Sequence, residues 1–373
     1  MRFCLVTTFF PPEHFGGDAI FVTNLANLLV RHGHHVKVVH CADSFRLLAG
    51  GVAPSPVPVD PRVQVERLAI GWHSPLATYA TGRPFFKPLE KILSEDFDVI
   101  HWHNLSLVGG PGALHLGRGV KLCTLHDYWV VCPTSVLFRN NQEPCTSRTC
   151  FRCSLHYGRP PQLWRLTGLM KKGLESLDRV LAPSDYVRRR TGIGATVLPH
   201  FIEPSERAPK PDTPDYYLFV GRLEKLKGLE TILPLFETRK LKVAGTGSAG
   251  QRLRDLASPN VELLGWVPHE RLASLYAGAI ATLVPSLCEE TFGLVILESL
   301  TQGTPAVTSS LGALPELVQK TSGGWVYRDL VDLERILADL DRHPRPTISP
   351  TLQDFSQEVH LARYFEIIEE CRK

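Results

Sequence analysis

A chain of 373 residues, 43% hydrophobic and 21% charged, is long enough to bury two cores and has an ordinary globular composition. A net charge of +3 is too small an excess to argue for a nucleic-acid partner. No run of 18 apolar residues predicts a membrane span. The apolar start, Met1 to Phe10, runs into Pro11-Pro12-Glu13 without a basic leader or a small-residue cleavage site. It reads as a first strand and not a signal peptide, so a cytoplasmic protein is expected.

The chain alternates short apolar strands with helical patterns, the signature of a parallel α/β architecture. Arg2 to Phe10 is the first strand. Asp18 to Arg31 repeats Ile20, Val22, Leu25, Leu28 and Leu29 at helical spacing, and Gly33 ends it. Further strands are expected at Val36 to His40, Val63 to Ile70, Asp98 to Trp102, Lys121 to Leu125, Arg179 to Ala182 and Thr196 to Leu198. Four prolines between Pro204 and Pro214 mark a linker. The pattern then restarts, with strands at Tyr216 to Val220, Lys242 to Ala244, Val261 to Leu264, Ala281 to Val284 and Ala306 to Thr308. Pro344, Pro346 and Pro350 precede a last helix, Gln353 to Cys371. The reading is of two Rossmann-like, doubly wound lobes facing across a cleft: residues 1–203 with a cysteine-bearing insertion at 132–153, and residues 215–345. Residues 351–373 form a terminal helix.

Four segments carry chemistry. Gly16-Gly17, between the first strand and helix, would let backbone N–H groups approach an anion closely, although a plain tight turn has the same signature. Gly221-Arg222-Leu223-Glu224-Lys225-Leu226-Lys227-Gly228 follows a strand, at the sheet edge where open α/β sheets bind ligands. Arg222 and Lys227 offer a planar fork and a point charge, the two usual ways to hold phosphate; the bland reading is a solvated loop. In Glu290-Thr291-Phe292-Gly293-Leu294-Val295-Ile296-Leu297-Glu298, two acids bracket seven residues, five of them apolar. On one helix rising ~1.5 Å per residue they would lie about 12 Å apart, the scale of an elongated ligand held at both ends. A helix opening near Phe292-Gly293-Leu294 would turn its N-terminus to a diphosphate. Finally, His126-Asp127 ends a strand, where a histidine is either a structural hydrogen bonder or a cleft residue.

Taken in order, Gly16-Gly17, His126-Asp127, Gly221-Arg222 to Lys227-Gly228, Gly245-Thr246-Gly247, Gly265-Trp266-Val267-Pro268, Glu290-x7-Glu298 and Gly303-Thr304-Pro305 resemble glycosyltransferase family 4 over nearly the whole chain. The resemblance implies the GT-B fold, with the terminal helix crossing back to the first lobe. It also implies a retaining hexosyltransferase using a UDP-, GDP- or ADP-sugar and a glycan or lipid-linked acceptor, in polysaccharide or glycolipid synthesis. Arg222 and Lys227 would hold the diphosphate, Glu290 the transferred sugar and Glu298 the ribose. Gly16-Gly17 would cap the diphosphate, while backbone near Gly247 and Val267 would frame the base. His126 would lie beside the anomeric carbon. No catalytic metal is implied, because cationic side chains and helix N-termini do that charge work. One departure is Pro199-His200-Phe201, where the family often has Pro-Asn-Gly.

Cys132, Cys145, Cys150 and Cys153 follow at C-x12-C-x4-C-x2-C spacing, and the last pair has the spacing of a structural zinc knuckle. Four thiolates would close a structural zinc site. Two basic-apolar stretches, Trp164 to Lys172 and Arg83 to Lys87, would suit an anionic membrane surface, or equally an ordinary packed helix. Other readings of the chain are a GT-B-like epimerase or phosphorylase, or a non-catalytic nucleotide-sugar binder.

Overall fold

The computed structural model describes residues 1–373 apart from 50–53, 55, 70, 86, 148, 345–347 and 349. Two compact units are present. The first comprises residues 1–136, 147–199 and 360–373, and the second residues 137–146 and 200–359.

The first unit is built on a parallel sheet of β1 (Arg2–Val6), β2 (His35–Cys41), β3 (Gln64–Leu68), β4 (Val99–Trp102), β5 (Val120–Thr124), β8 (Arg179–Ala182) and β9 (Thr196–Val197), in the order β3-β2-β1-β4-β5-β8-β9. β1 lies inside the sheet between β2 and β4, and Phe3, Cys4, Leu5 and Val6 are all buried because both faces are covered. The helix Gly17–Arg31 buries Phe21, Val22, Leu25, Leu28 and Leu29. The C-terminal residues 360–373 belong to this unit, with Tyr364 stacked on Phe3 at 6.2 Å. The intervening hairpin, β6 (Phe138–Arg139) and β7 (Glu143–Pro144), is antiparallel.

The second unit has six parallel strands: β10 (Tyr216–Val220), β11 (Leu241–Ala244), β12 (Val261–Gly265), β13 (Ala279–Val284), β14 (Ala306–Ser309) and β15 (Gly324–Tyr327). Their order is β12-β11-β10-β13-β14-β15. Strand order therefore reverses between β10 and β13, the switch point outside whose carboxyl ends such sheets bind ligands. One core gathers Tyr217, Phe219, Ile232, Phe236, Val243, Leu283 and Leu337. Another packs the helix Leu294–Thr301 through Ile296, Leu297 and Leu300 against Leu314 and Leu317.

Two expected elements differ in detail. The last helix does not run unbroken from Gln353: a 3-10 turn at Gln353–Phe355 and an extended Ser356 precede the helix Gln357–Arg372. The strand expected at Val63 to Ile70 is Gln64–Leu68, and Ile70 lies outside the described residues, as do Phe86, Arg148 and Pro346. Among the described residues no helix is long and apolar enough to cross a membrane.

Candidate active site

In the second unit, the loops leaving β10, β11 and β12 are laced to one another by backbone hydrogen bonds. Gly221 N donates to Ala244 O (3.0 Å), Leu223 N to Thr246 O (2.9 Å) and Gly245 N to Gly265 O (2.7 Å). The approach is too close for side chains: a Cβ on Gly245 would stand 1.9 Å from Gly221 O. The loop after β13 joins this set through Leu287 N to Leu226 O (2.8 Å).

Lys227 and Glu290 meet where these loops converge. Lys227 closes a 3-10 turn, and its Nζ donates to Glu290 Oε1 at 2.7 Å. Ser286 Oγ donates to the same oxygen at 2.5 Å, and Ser286 is itself fixed by Ser309 Oγ on its carbonyl (2.8 Å). Burial opposes both charges, but mutual attraction outweighs it: the Lys227 ammonium is raised and the Glu290 carboxyl lowered, with Ser286 and Arg222 adding to the latter. The pair is thus a half-buried zwitterion at neutral pH. Both hydrogen bonds fall on Oε1, so neither uses Oε2. Arg222 is exposed and bonds Glu224 through Nη1 (2.6 Å). Cys288, beside the pair, is pushed up to about 12 by burial and is no thiolate.

The sequence placed Glu290 and Glu298 on one helix; the helix begins only at Leu294, after Gly293 with φ +113°. Glu290 therefore lies on the preceding loop, and the helical spacing of about 12 Å does not describe the two acids. No side chain caps this helix. Phe292 is turned inward, its ring 5.0 Å from His200 and 6.0 Å from Phe355, so only its backbone faces the loop region. His200 thereby takes a core place at the departure Pro199-His200-Phe201, with Phe201 buried beside it. Glu298 sits on the helix and accepts from Tyr276 Oη at 2.7 Å. The Tyr276 phenol is driven well up by burial and by the Glu298 charge, so it remains a donor. Val267 is half-buried next to the exposed Trp266, and Gly247 packs on Leu223 O.

In the first unit, Gly16 precedes the helix Gly17–Arg31 with φ +131° in open space, so backbone conformation, not crowding, calls for glycine there. His126 follows β5, partly open at its surface. Its Nε2 lies 2.9 Å from His103 Nδ1, and the Phe21 ring packs against it at 5.5 Å. Desolvation lowers His126 to about 4, with Asp18 opposing, so it is neutral at pH 7. Burial raises the neighbouring Asp127 to about 6, although Trp129 N donates to its Oδ1 at 2.7 Å.

The expected zinc site is not formed: among the described residues no three histidine, cysteine or acidic side chains gather around a metal-sized centre. Cys150 opens the helix Cys150–His156 exposed, while Cys153, one turn on, is buried. Cys132 is buried with its Sγ 3.3 Å from Thr134 Oγ1, and Cys145 belongs to the other compact unit. The C-x-x-C pair lies on the first turn of that helix.

Sequence reasoning missed Ser286, Tyr276 and His103. Ser286 precedes Glu290 by four residues, and His103, just after β4, stands two residues from His101; both spacings were visible. Tyr276 carried no signal.

The glycosyl transferases group 1 model matches residues 202–342, and the glycosyltransferase family 4 model matches residues 15–204. A glycogen synthase of Mycobacterium tuberculosis is 36% identical over 361 residues, covering 85% of this chain and 80% of that protein. An uncharacterized glycosyltransferase of Methanocaldococcus jannaschii is 26% identical over 381 residues, covering 91% and 90%. Among solved structures, a sucrose-phosphate synthase from Thermosynechococcus elongatus superposes with a TM-score of 0.72 at 20% identity, covering 99% of this chain and 98% of that one. The fold is the two-lobe GT-B fold.

Proposed function

We propose that this chain, which belongs to glycosyltransferase family 4, is a retaining enzyme that moves a hexose from a nucleoside diphosphate sugar to a hydroxyl of a glycan or lipid-linked acceptor. That it is a nucleotide-sugar glycosyltransferase follows from the family. The finer reading rests on one observation: the Lys227–Glu290 ion pair at 2.7 Å, set where the loops after β10 and β13 converge.

The pair supplies opposite needs of a diphosphate sugar. Lys227 and the exposed Arg222 would neutralise the diphosphate as it gains charge on leaving, and the uncapped N-terminus at Gly293-Leu294 adds N–H groups of the same sign. Glu290 Oε2 would accept from hydroxyls of the transferred sugar. Glu298, held by Tyr276, would accept from the ribose, and backbone at Gly247 and Val267 would border the base. On the first unit, the resemblance gives Gly16-Gly17 the role of a diphosphate cap and His126 a place beside an anomeric carbon. In the step itself the anomeric C–O bond to phosphate breaks and a C–O bond to the acceptor oxygen forms on the same face. The acceptor proton passes to the leaving phosphate oxygen. The acceptor side includes a basic and apolar surface suited to an anionic membrane.

The test is a panel of UDP-, GDP- and ADP-hexoses with release of nucleoside diphosphate followed, and the anomeric configuration of any product read by proton NMR. Release from one donor with retained configuration is expected. Tight donor binding with neither release nor transfer would identify a binding module instead, and an inverted product would overturn the retaining mode.

A further inference from the structure

β4 and β5 lie side by side with His101 opposite Leu122 and Trp102 opposite Cys123. Side chains on one face recur every second residue, and diagonal neighbours across a sheet meet. His101 reaches two residues past its partner, its Nε2 2.8 Å from Thr124 Oγ1. His103 repeats that offset one step on, its Nδ1 2.9 Å from His126 Nε2. His103 and His126 lie just beyond the ends of β4 and β5 and continue the offset that the strand register sets up.

Neighbouring rings and hydrogen bonds hold the pair. His103 is buried, and its ring lies 4.0 Å from that of His101. His101 is tied through Nδ1 to Tyr364 Oη at 2.9 Å, on the C-terminal helix. From the same helix, His360 bonds Pro199 O through Nδ1 at 2.7 Å and meets the Phe21 ring edge-on at 5.7 Å. Phe21 also covers His103 at 6.3 Å and His126 at 5.5 Å. The buried His103 ring cannot turn without displacing a packed neighbour, and Phe21 restrains the more open His126.

We infer that His103 is a positioning residue for His126: by engaging Nε2 it holds His126 in one tautomer and one ring orientation, and assigns contact with the reacting sugar to Nδ1. Between two neutral imidazoles one nitrogen must donate and the other accept. The direction of that bond then sets the proton count at Nδ1 of His126: Nδ1 is protonated where Nε2 accepts and bare where Nε2 donates. Without His103 the two tautomers of His126 interconvert, and the fraction in the working form falls. The part of this concerning the sugar rests on the transferase reading above; the tautomer does not.

Two measurements separate those parts. In protein labelled with 15N-histidine, long-range 1H–15N spectra report the tautomer of His126, identified by loss of its signals in His126→Gln. The native ring is expected in a single tautomer, and His103→Ala should shift both ring nitrogens toward a tautomeric average. His103→Asn, whose amide stands near the position of Nδ1, should restore the native shifts. Unchanged His126 nitrogens in His103→Ala would overturn the inference whatever the enzyme transfers. In the transfer assay His103→Ala should lower kcat on the order of tenfold to a hundredfold, with donor KM within about threefold. His103→Asn should recover most of kcat and His103→Gln should not. If wild type releases nucleoside diphosphate and all three variants match it, the positioning role is wrong. If wild type transfers nothing while the tautomer responds as described, the transferase reading fails and the tautomer assignment stands.

Discussion

At the residue scale, the second unit sets two acids and a lysine in distinct electrostatic positions. Lys227 and Glu290 are half-buried and mutually neutralising. Removing either leaves an uncompensated charge, so simple truncation mixes stability with function. The roles separate in kinetics. Glu290→Gln keeps shape and a hydrogen-bond partner for Lys227 but drops the charge that would accept from sugar hydroxyls. It should cut kcat about 10²-fold while changing the affinity for free nucleoside diphosphate by less than about threefold. Lys227→Ala should weaken nucleoside diphosphate binding itself, by roughly tenfold or more, since a charge-assisted contact is worth about 1.5–3 kcal/mol. Calorimetric titration of nucleoside diphosphate beside steady-state kinetics reads both. Equal, negligible effects of the two substitutions would remove these residues from the site. Of this centre, the sequence made Lys227 and Glu290 legible because a lysine before Gly228 and an acid beside a helix start are local patterns. Ser286 and His103 stood at visible spacings that were not read, while Tyr276 was hidden because only folding brings it from the helix before β13 to Glu298.

At the scale of elements, most strands of the two sheets were legible from apolar runs, but β15 (Gly324–Tyr327) and the two-residue strands β6 and β7 were not. The short helices were not, because seven-residue segments such as Ala42–Leu48 and Lys87–Leu93 hold too few turns to display a period. In the insertion a metal spacing was read; Cys150 and Cys153 sit one helical turn apart, and among the described residues no metal-sized cluster gathers around them. What that helix does present is an apolar edge. Phe151 and Leu155 are 61% and 55% exposed, and farther along Leu163 and Leu166 are 62% and 88% exposed. Arg152, Lys171 and Lys172 stand among them in the chain, with exposed surfaces. Large exposed apolar side chains next to basic ones fit an interface rich in anionic lipid headgroups. Vesicles containing phosphatidylglycerol should carry the protein upward in a flotation gradient, and neutral phosphatidylcholine vesicles should not. The double substitution Leu163→Glu and Leu166→Glu should reduce the floated fraction at least severalfold, with melting unchanged. Flotation that is absent with anionic vesicles would dismiss the membrane contact.

At the scale of the whole molecule, buried charge is distributed unevenly between the two units, and this fixes how the protein responds to acid. In the first unit, desolvation holds His40, His126 and His360 down to about 4 and His101 well below its usual value. In the unfolded chain each would take a proton near pH 6.5. Unfolded molecules therefore bind more protons than native ones from about pH 6.5 down to 4, and stability falls as pH falls through that window. Asp127, raised to about 6, works the other way, because the native carboxyl takes its proton before the unfolded one does. These four histidines less one carboxyl leave three protons, a slope of about 4 kcal/mol per pH unit, and His34, also lowered by burial, adds to it. In the second unit the sign of the Glu290 shift places its loss lower: its contribution is complete above the ordinary carboxylate range and disappears only as pH drops through a lowered value. Urea midpoints should thus fall steeply between pH 6.5 and 4.5, while nucleoside diphosphate binding per folded molecule persists to pH 5. His360→Phe, which keeps an aromatic ring against Phe21 and Tyr364 but cannot titrate, should flatten the slope by about one proton. Midpoints that stay level from pH 7 to 5 would show that these histidines titrate alike in both states, and the neutral His126 required for a single tautomer would lose its physical basis.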